Sequence, residues 1–150
     1  MKEFVSTLSE QLFRSYQVKD TKIARIVHVT DHKFPVSVGV HVGLIINELL
    51  SNALQHAFGE EGEGKIEVSL TAQDNGRANL RVSDDGVGLP PGFDINATKT
   101  LGLRLVKILI KDQLQGTLEV INEGGTTFNI KFDIRSNGGS SYGEDKNTYR

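Results

Sequence analysis

The sequence predicts an α+β fold, a two-layer sandwich in which a mixed, mostly antiparallel sheet carries its helices on one face. Three observations lead there. Apolar periodicity changes along the chain in the order helix, strand, helix, strand, strand, helix, strand, strand. Most strand-to-strand links are short and turn-rich, as hairpins are. Finally, Phe128, Ile130, Phe132 and Ile134 alternate with polar residues, the pattern of an antiparallel strand with one buried face.

Residues 3–16 place Phe4, Leu8, Leu12 and Phe13 at helical spacing, with Glu10 and Arg14 four apart. Residues 22–30 favour a strand through Ile23, Ile26, Val27 and Val29, and a turn runs from Asp31 to Pro35. Residues 37–57 carry the strongest helix signal, with Val38, Val42, Ile45, Leu49, Ala53 and Ala57 in one stripe. An acidic, glycine-containing loop at 59–64 stops that helix. Ile66, Val68 and Leu70 mark one strand and Ala78, Leu80 and Val82 the next, with Asp74-Asn75-Gly76 as the hairpin turn. A loop over 84–100 leads to a helix over 101–114, stopped by Gly116. Strands 118–121 and 127–134 flank the turn Glu123-Gly124-Gly125. Residues 1–135 therefore read as one domain. Residues 136–150, rich in Gly, Ser, Asn and charge, have the composition of a disordered tail.

With 150 residues, 37% apolar and 24% charged, the chain can bury a core without covalent staples. A net charge of −2 supplies no bulk positive field, so neither nucleic acid nor direct membrane contact is expected. The lack of cysteine removes thiolate nucleophiles and cysteine-based zinc sites. No apolar run approaches the ~20 residues of a membrane span, and the opening Met1-Lys2-Glu3-Phe4 lacks a signal-peptide core. The expected location is cytoplasmic, with a membrane-anchored parent protein still open.

Four segments carry candidate chemistry. Glu48, Asn52 and His56 stand four apart on the long helix and share a face beside its apolar stripe. A carboxylate, an amide oxygen and an imidazole so placed suit a hydrated Mg²⁺ and its phosphates; spacing alone suits an ordinary solvated helix face better. Asp84-Asp85-Gly86-Val87-Gly88-Leu89-Pro90 follows a strand, where a carboxylate can accept from an exocyclic amine and glycines allow close approach. An Asp-Gly turn explains the same residues equally well. Thr100-Leu101-Gly102-Leu103-Arg104 opens a helix, whose free N–H groups and partial positive charge favour phosphate, with Lys99 and Arg104 adding charge; in isolation an ordinary helix start with a solvated Arg104 suits it better. Gly124-Gly125-Thr126-Thr127-Phe128 turns into the last strand and offers a hydroxyl, though alone it suits a plain tight β-turn better.

Together and in this order, the four segments resemble the motifs of the GHKL ATPases, the superfamily of histidine kinases, gyrase-type ATPases, chaperone ATPases and mismatch-repair proteins. Residues 47–58 resemble its N box, Asp84-Asp85-Gly86-Val87-Gly88 its G1 box, Leu101-Gly102-Leu103-Arg104-Leu105-Val106 its G2 box, and Gly125-Thr126-Thr127-Phe128 its closing Gly-Thr-x-Phe. The likeness covers residues 1–134. It is strongest to the catalytic domain of sensor histidine kinases, in the subgroup with a His-Ala-Phe N box and a short lid.

The resemblance implies a Bergerat-type sandwich binding ATP and Mg²⁺. It implies that Asn52 coordinates Mg²⁺ and that Glu48 acts as a base or orients the incoming imidazole. Asp84 would bind the adenine amine with support from Thr126. Gly86 and Gly88 would line the base pocket, Gly102 and Leu103 would meet the phosphates, His56 would sit near them, and Leu89 would also contact the nucleotide. Three features depart from the family pattern. Gln55 stands where many kinases carry Lys or Arg, Thr100 replaces the first glycine of the G2 box, and only 11 residues separate Gly88 from Thr100.

The implied reaction moves the γ-phosphoryl group of ATP to a histidine. The four histidines here are His28, His32, His41 and His56. None reads as part of a separate helical hairpin, so the acceptor is expected on a dimerisation domain of the parent kinase, with a response regulator downstream. The chain alone is expected to bind ATP without efficient autophosphorylation. Two other readings stay open: an anti-sigma-type serine kinase, and a degenerate nucleotide-binding interaction module.

Overall fold

The computed structural model describes residues 1–16, 22–59 and 62–135. The tail expected from residue 136 lies outside the described residues. Five strands form one sheet in the order β1-β2-β3-β5-β4. They are β1 (Lys22–Val29), β2 (Glu63–Ala72), β3 (Arg77–Asp84), β4 (Thr117–Ile121) and β5 (Thr126–Asp133). Helices α1 (Lys2–Tyr16), α2 (Val36–His56) and α3 (Leu101–Ile108) complete the fold. The pairs β2–β3, β3–β5 and β4–β5 are antiparallel, whereas β1–β2 is parallel. The long crossover through α2 makes that parallel pairing possible.

Register sends one set of side chains from every strand to the helical layer. Ile66, Val68 and Leu70 of β2, Leu80 and Val82 of β3, and Phe128 and Ile130 of β5 are buried there. The opposite face is polar, with Arg81 and Glu67 paired at 3.9 Å and the Ser83 and Thr127 hydroxyls 2.8 Å apart. The helical layer is centred on α2, whose Val38, Val42, Ile45, Ile46 and Leu50 are fully buried. Each such side chain stabilises the fold by about 1.5–3 kcal/mol. This helix has the length and apolar composition to cross a bilayer, which the run-length reading overlooked, but its apolar stripe is packed into the core.

Helix α1 lies against α2 where a Cβ on Gly43 would stand 2.6 Å from the Phe4 ring. Arg25 Nη1 of β1 anchors it from the sheet side, donating to Ser6 O and Ser9 Oγ at 3.1 and 3.0 Å. The helix expected over 101–114 is regular only to Ile108; Leu109–Gln113 forms a π-helical turn, closed by Leu114 N–H to Leu109 O. The wider turn keeps Leu109, Ile110 and Leu114 all buried before the chain enters β4.

Candidate functional site

The four motif segments meet around one cavity of about 560 Å³ between α2, the ends of β3 and β5, and the loop leading to α3. Its walls are mainly apolar, with Leu49, Val82, Phe93 and Phe128 among them. A few polar groups converge on this greasy surface, the usual constitution of a small-molecule site.

Asp84 is the last residue of β3 and lies opposite Thr126 of β5. Its Oδ1 accepts the Gly86 N–H at 3.0 Å, and the Thr126 N–H also donates to the carboxyl. Burial pushes the carboxyl above the usual aspartate range; the two N–H donors pull it back, and the neighbouring Asp85 charge adds a further upward push. Thr126 is 5% exposed and lines the same cavity. Gly125, at φ +123°, brings the chain so close that a Cβ there would strike the Asp84 carbonyl oxygen. No ordinary side chain tolerates both that angle and that contact.

Asp85 does different work. Its Oδ1 accepts the Lys65 N–H at 2.7 Å, so the side chain ties the loop back to β2. Gly86 also departs from expectation. It is not part of the cavity wall: a Cβ there would strike the Ala57 carbonyl, which accepts the Val87 N–H at 2.8 Å. Its smallness sews the loop to the end of α2 and leaves Gly88 and Leu89 to form the wall.

Asn52 and His56 reach the cavity from α2. Glu48, one turn earlier, does not line it. Its carboxylate turns to the start of α3, where a Cβ on Gly102 would meet Glu48 Oε2. Gly102 likewise stays out of the cavity wall, whereas Thr100 and Leu103 form part of it. Thr100 caps α3 through its backbone alone, so the first N–H groups of the helix lack a side-chain acceptor from it. Gln55, Lys99 and Arg104 are exposed. Among the described residues no three His, Cys, Asp or Glu side chains could hold a metal by themselves. The polar set suits Mg²⁺ held chiefly by phosphates and water, with one amide oxygen from the protein.

The sequence reading missed Asn122. Its side-chain amide makes two hydrogen bonds to the backbone of Leu89, at 2.9 and 3.0 Å. The only local signal is an Asn before Glu-Gly-Gly, which any turn also shows.

The family model described as histidine kinase-, DNA gyrase B-, and HSP90-like ATPase matches residues 37–136. The chain belongs to this family. The four motifs are thus those of a GHKL ATPase domain, and the sheet with helices on one face is its Bergerat fold. Among curated relatives, blue-light-activated histidine kinase 2 of Erythrobacter litoralis is 33% identical over 100 residues, covering 67% of this chain and 28% of that protein. The sensor histidine kinase PdtaS of Mycolicibacterium smegmatis is 36% identical over 94 residues, covering 61% of this chain and 19% of that protein. The chain therefore spans less than a third of the length of these relatives. A solved histidine kinase domain from the Erythrobacter litoralis EL346 blue-light-activated kinase superposes with a TM-score of 0.79 at 26% identity. That match covers 89% of this chain and 60% of the other.

Proposed function

We propose that this GHKL domain is the ATP-binding catalytic domain of a two-component sensor histidine kinase. In this reading it moves the γ-phosphoryl group of ATP to a histidine on the parent's dimerisation domain, and a response regulator takes the group onward. The observation that carries the reading is Asp84, a half-buried carboxylate on the mainly apolar wall of a cavity large enough for a nucleotide.

An anion there suits the exocyclic amine of adenine, and Val82, Phe128 and Leu49 suit the faces and edges of the base. The phosphates then run towards Asn52, His56, Leu103 and the N-terminus of α3, whose partial positive charge favours them. Asn52 is the residue to hold Mg²⁺; the bound ion supplies charge neutralisation on the phosphates. Glu48 lies beside Gly102 at the same end. It is placed to orient an imidazole arriving from outside or to take its proton, as the bond from phosphorus to the β-phosphate oxygen breaks and the bond to nitrogen forms.

The acceptor is proposed to be a partner group because His28, His32 and His41 do not line the cavity and His56 sits on its wall beside Asn52. Two-component relays and ATP place such a domain in the cytoplasm. Calorimetric titration of the chain with ATP and ADP, with and without Mg²⁺, tests the reading. Binding that Mg²⁺ modulates and that weakens roughly 10- to 100-fold in Asp84→Asn is expected, as for loss of a hydrogen bond to a charged group. A folded chain that binds no nucleotide at millimolar concentration overturns it.

A further inference from the structure

Leu89 opens the loop between Gly88 and Gly102, the lid of this domain, and forms part of the cavity wall. Its backbone N–H donates to Asn122 Oδ1 at 2.9 Å, and its carbonyl accepts from Asn122 Nδ2 at 3.0 Å. Asn122 stands 33 residues further on, immediately after β4. One planar amide thus satisfies both backbone groups of Leu89, as a neighbouring strand would. Among the described residues, 88–93 make no other hydrogen bond to the rest of the domain; Phe93 N–H bonds only within the loop, to Pro90 O.

Two further features isolate this contact. Gly88 has φ +75°, and a Cβ there would lie 2.5 Å from Asn122 Oδ1, so the glycine before Leu89 makes room for the amide. Between Leu89, Phe93, Ile95, Leu118, Val120 and Asn122 lies a half-open hollow of about 310 Å³. Packing against β4 is therefore incomplete at this point, and the amide supplies what packing does not.

We propose that Asn122 is a positioning residue for nucleotide binding. Its amide clasps Leu89, preforms the part of the base pocket built by Gly88 and Leu89, and moves the hinge of the lid outward to Pro90 and beyond. The proposal rests on the nucleotide reading of the cavity. A preformed wall lowers the ordering cost of binding, so its loss appears mainly as faster release.

The test uses the 150-residue chain as wild type, Asn122→Ala and Asn122→Asp. Association and dissociation of a fluorescent ADP analogue are followed by stopped flow, exchange of the Leu89 amide by NMR, and melting without nucleotide. In Asn122→Ala, dissociation about tenfold faster is expected, the scale of one or two exposed hydrogen bonds. Protection of the Leu89 amide should be lost while β3 and β5 amides stay protected. Asn122→Asp keeps the acceptor and loses the donor, so it should retain Leu89 protection and release ligand at an intermediate rate. A lower melting temperature with an unchanged dissociation rate shows a merely structural role and overturns the proposal. So does an unprotected Leu89 amide in the wild type, which needs no variant to fold. A folded wild type that binds no nucleotide overturns the reading of the cavity and the positioning role with it, while Leu89 protection still reports whether the clasp forms.

Discussion

At one end of the cavity the half-buried Asp84 and the buried Thr126 face each other across paired strands, with backbone N–H groups fixing the carboxyl and Gly125 pressed against the Asp84 carbonyl. At the other end Asn52 and the exposed His56 reach the cavity from α2, near the start of α3, where Thr100 and Leu103 form the wall. The first end is held by sheet hydrogen bonds that form as the domain folds. The second is assembled from two helices and a lid joined by few polar contacts. Recognition of a base needs fixed donors and acceptors, whereas mobile, hydrated phosphates tolerate a looser cradle. Changes to the backbone frame at the strand end should therefore cost stability and binding together, changes at the helix end should tune binding alone, and ionisation of Asp84 should set the two against each other.

The largest expected effect is at Gly125. Gly125→Ala places a Cβ against the Asp84 carbonyl at φ +123° and should destabilise the domain by about 2–4 kcal/mol, with binding lost in parallel. Urea unfolding measures this. A variant of wild-type stability would show that the strand end is not rigid.

Acid titration comes next. The pKa of Asp84 is raised in the folded chain chiefly by burial, so its charged form is penalised there. Its contribution to stability is full below the unfolded pKa of about 3.9 and is lost as pH rises through the folded value. Under the proposed reading nucleotide binding runs the other way, because an adenine amine bonds more strongly to the anion than to the neutral acid. As pH falls through the raised pKa, affinity should fall towards about tenfold per unit, starting above the ordinary aspartate range. Calorimetry against pH, with Asp84→Asn as the reference, separates the two signs; an Asp84→Asn profile identical to wild type would remove Asp84 from the base contact.

The smallest effect belongs to the exposed helix end. Gln55 is exposed where the family resemblance expects a phosphate-facing cation, so under the proposed reading Gln55→Lys should improve ATP binding by a few-fold, less at high salt and with no change in melting. A gain equal for adenosine and ATP would show that residue 55 does not face phosphate.

The same contrast explains what was legible. The alternation of Phe128, Ile130 and Phe132 and the stripe from Val38 to Ala53 announced their buried faces directly, since period and burial are local properties. Asp84, Thr126, Asn52 and His56 were singled out by their motifs, and the structure places all four on one cavity wall. The carboxylate of Glu48 against Gly102, the seat of Gly86 on Ala57, and the Asn122 amide on Leu89 were not found, because each joins residues far apart in the chain. The parallel β1–β2 pair was hidden for the same reason, behind the crossover through α2.

By itself the sequence determined which segments become helix or strand, which face each one buries, and the four motifs of the GHKL family. Those follow from periodicity, turn chemistry and residue type, all read over a few neighbouring positions. Tertiary structure alone decided which motif residues form the cavity wall and which serve the frame around it. That choice depends on through-space approaches within a few ångströms, and a one-dimensional pattern carries no distance between residues 89 and 122.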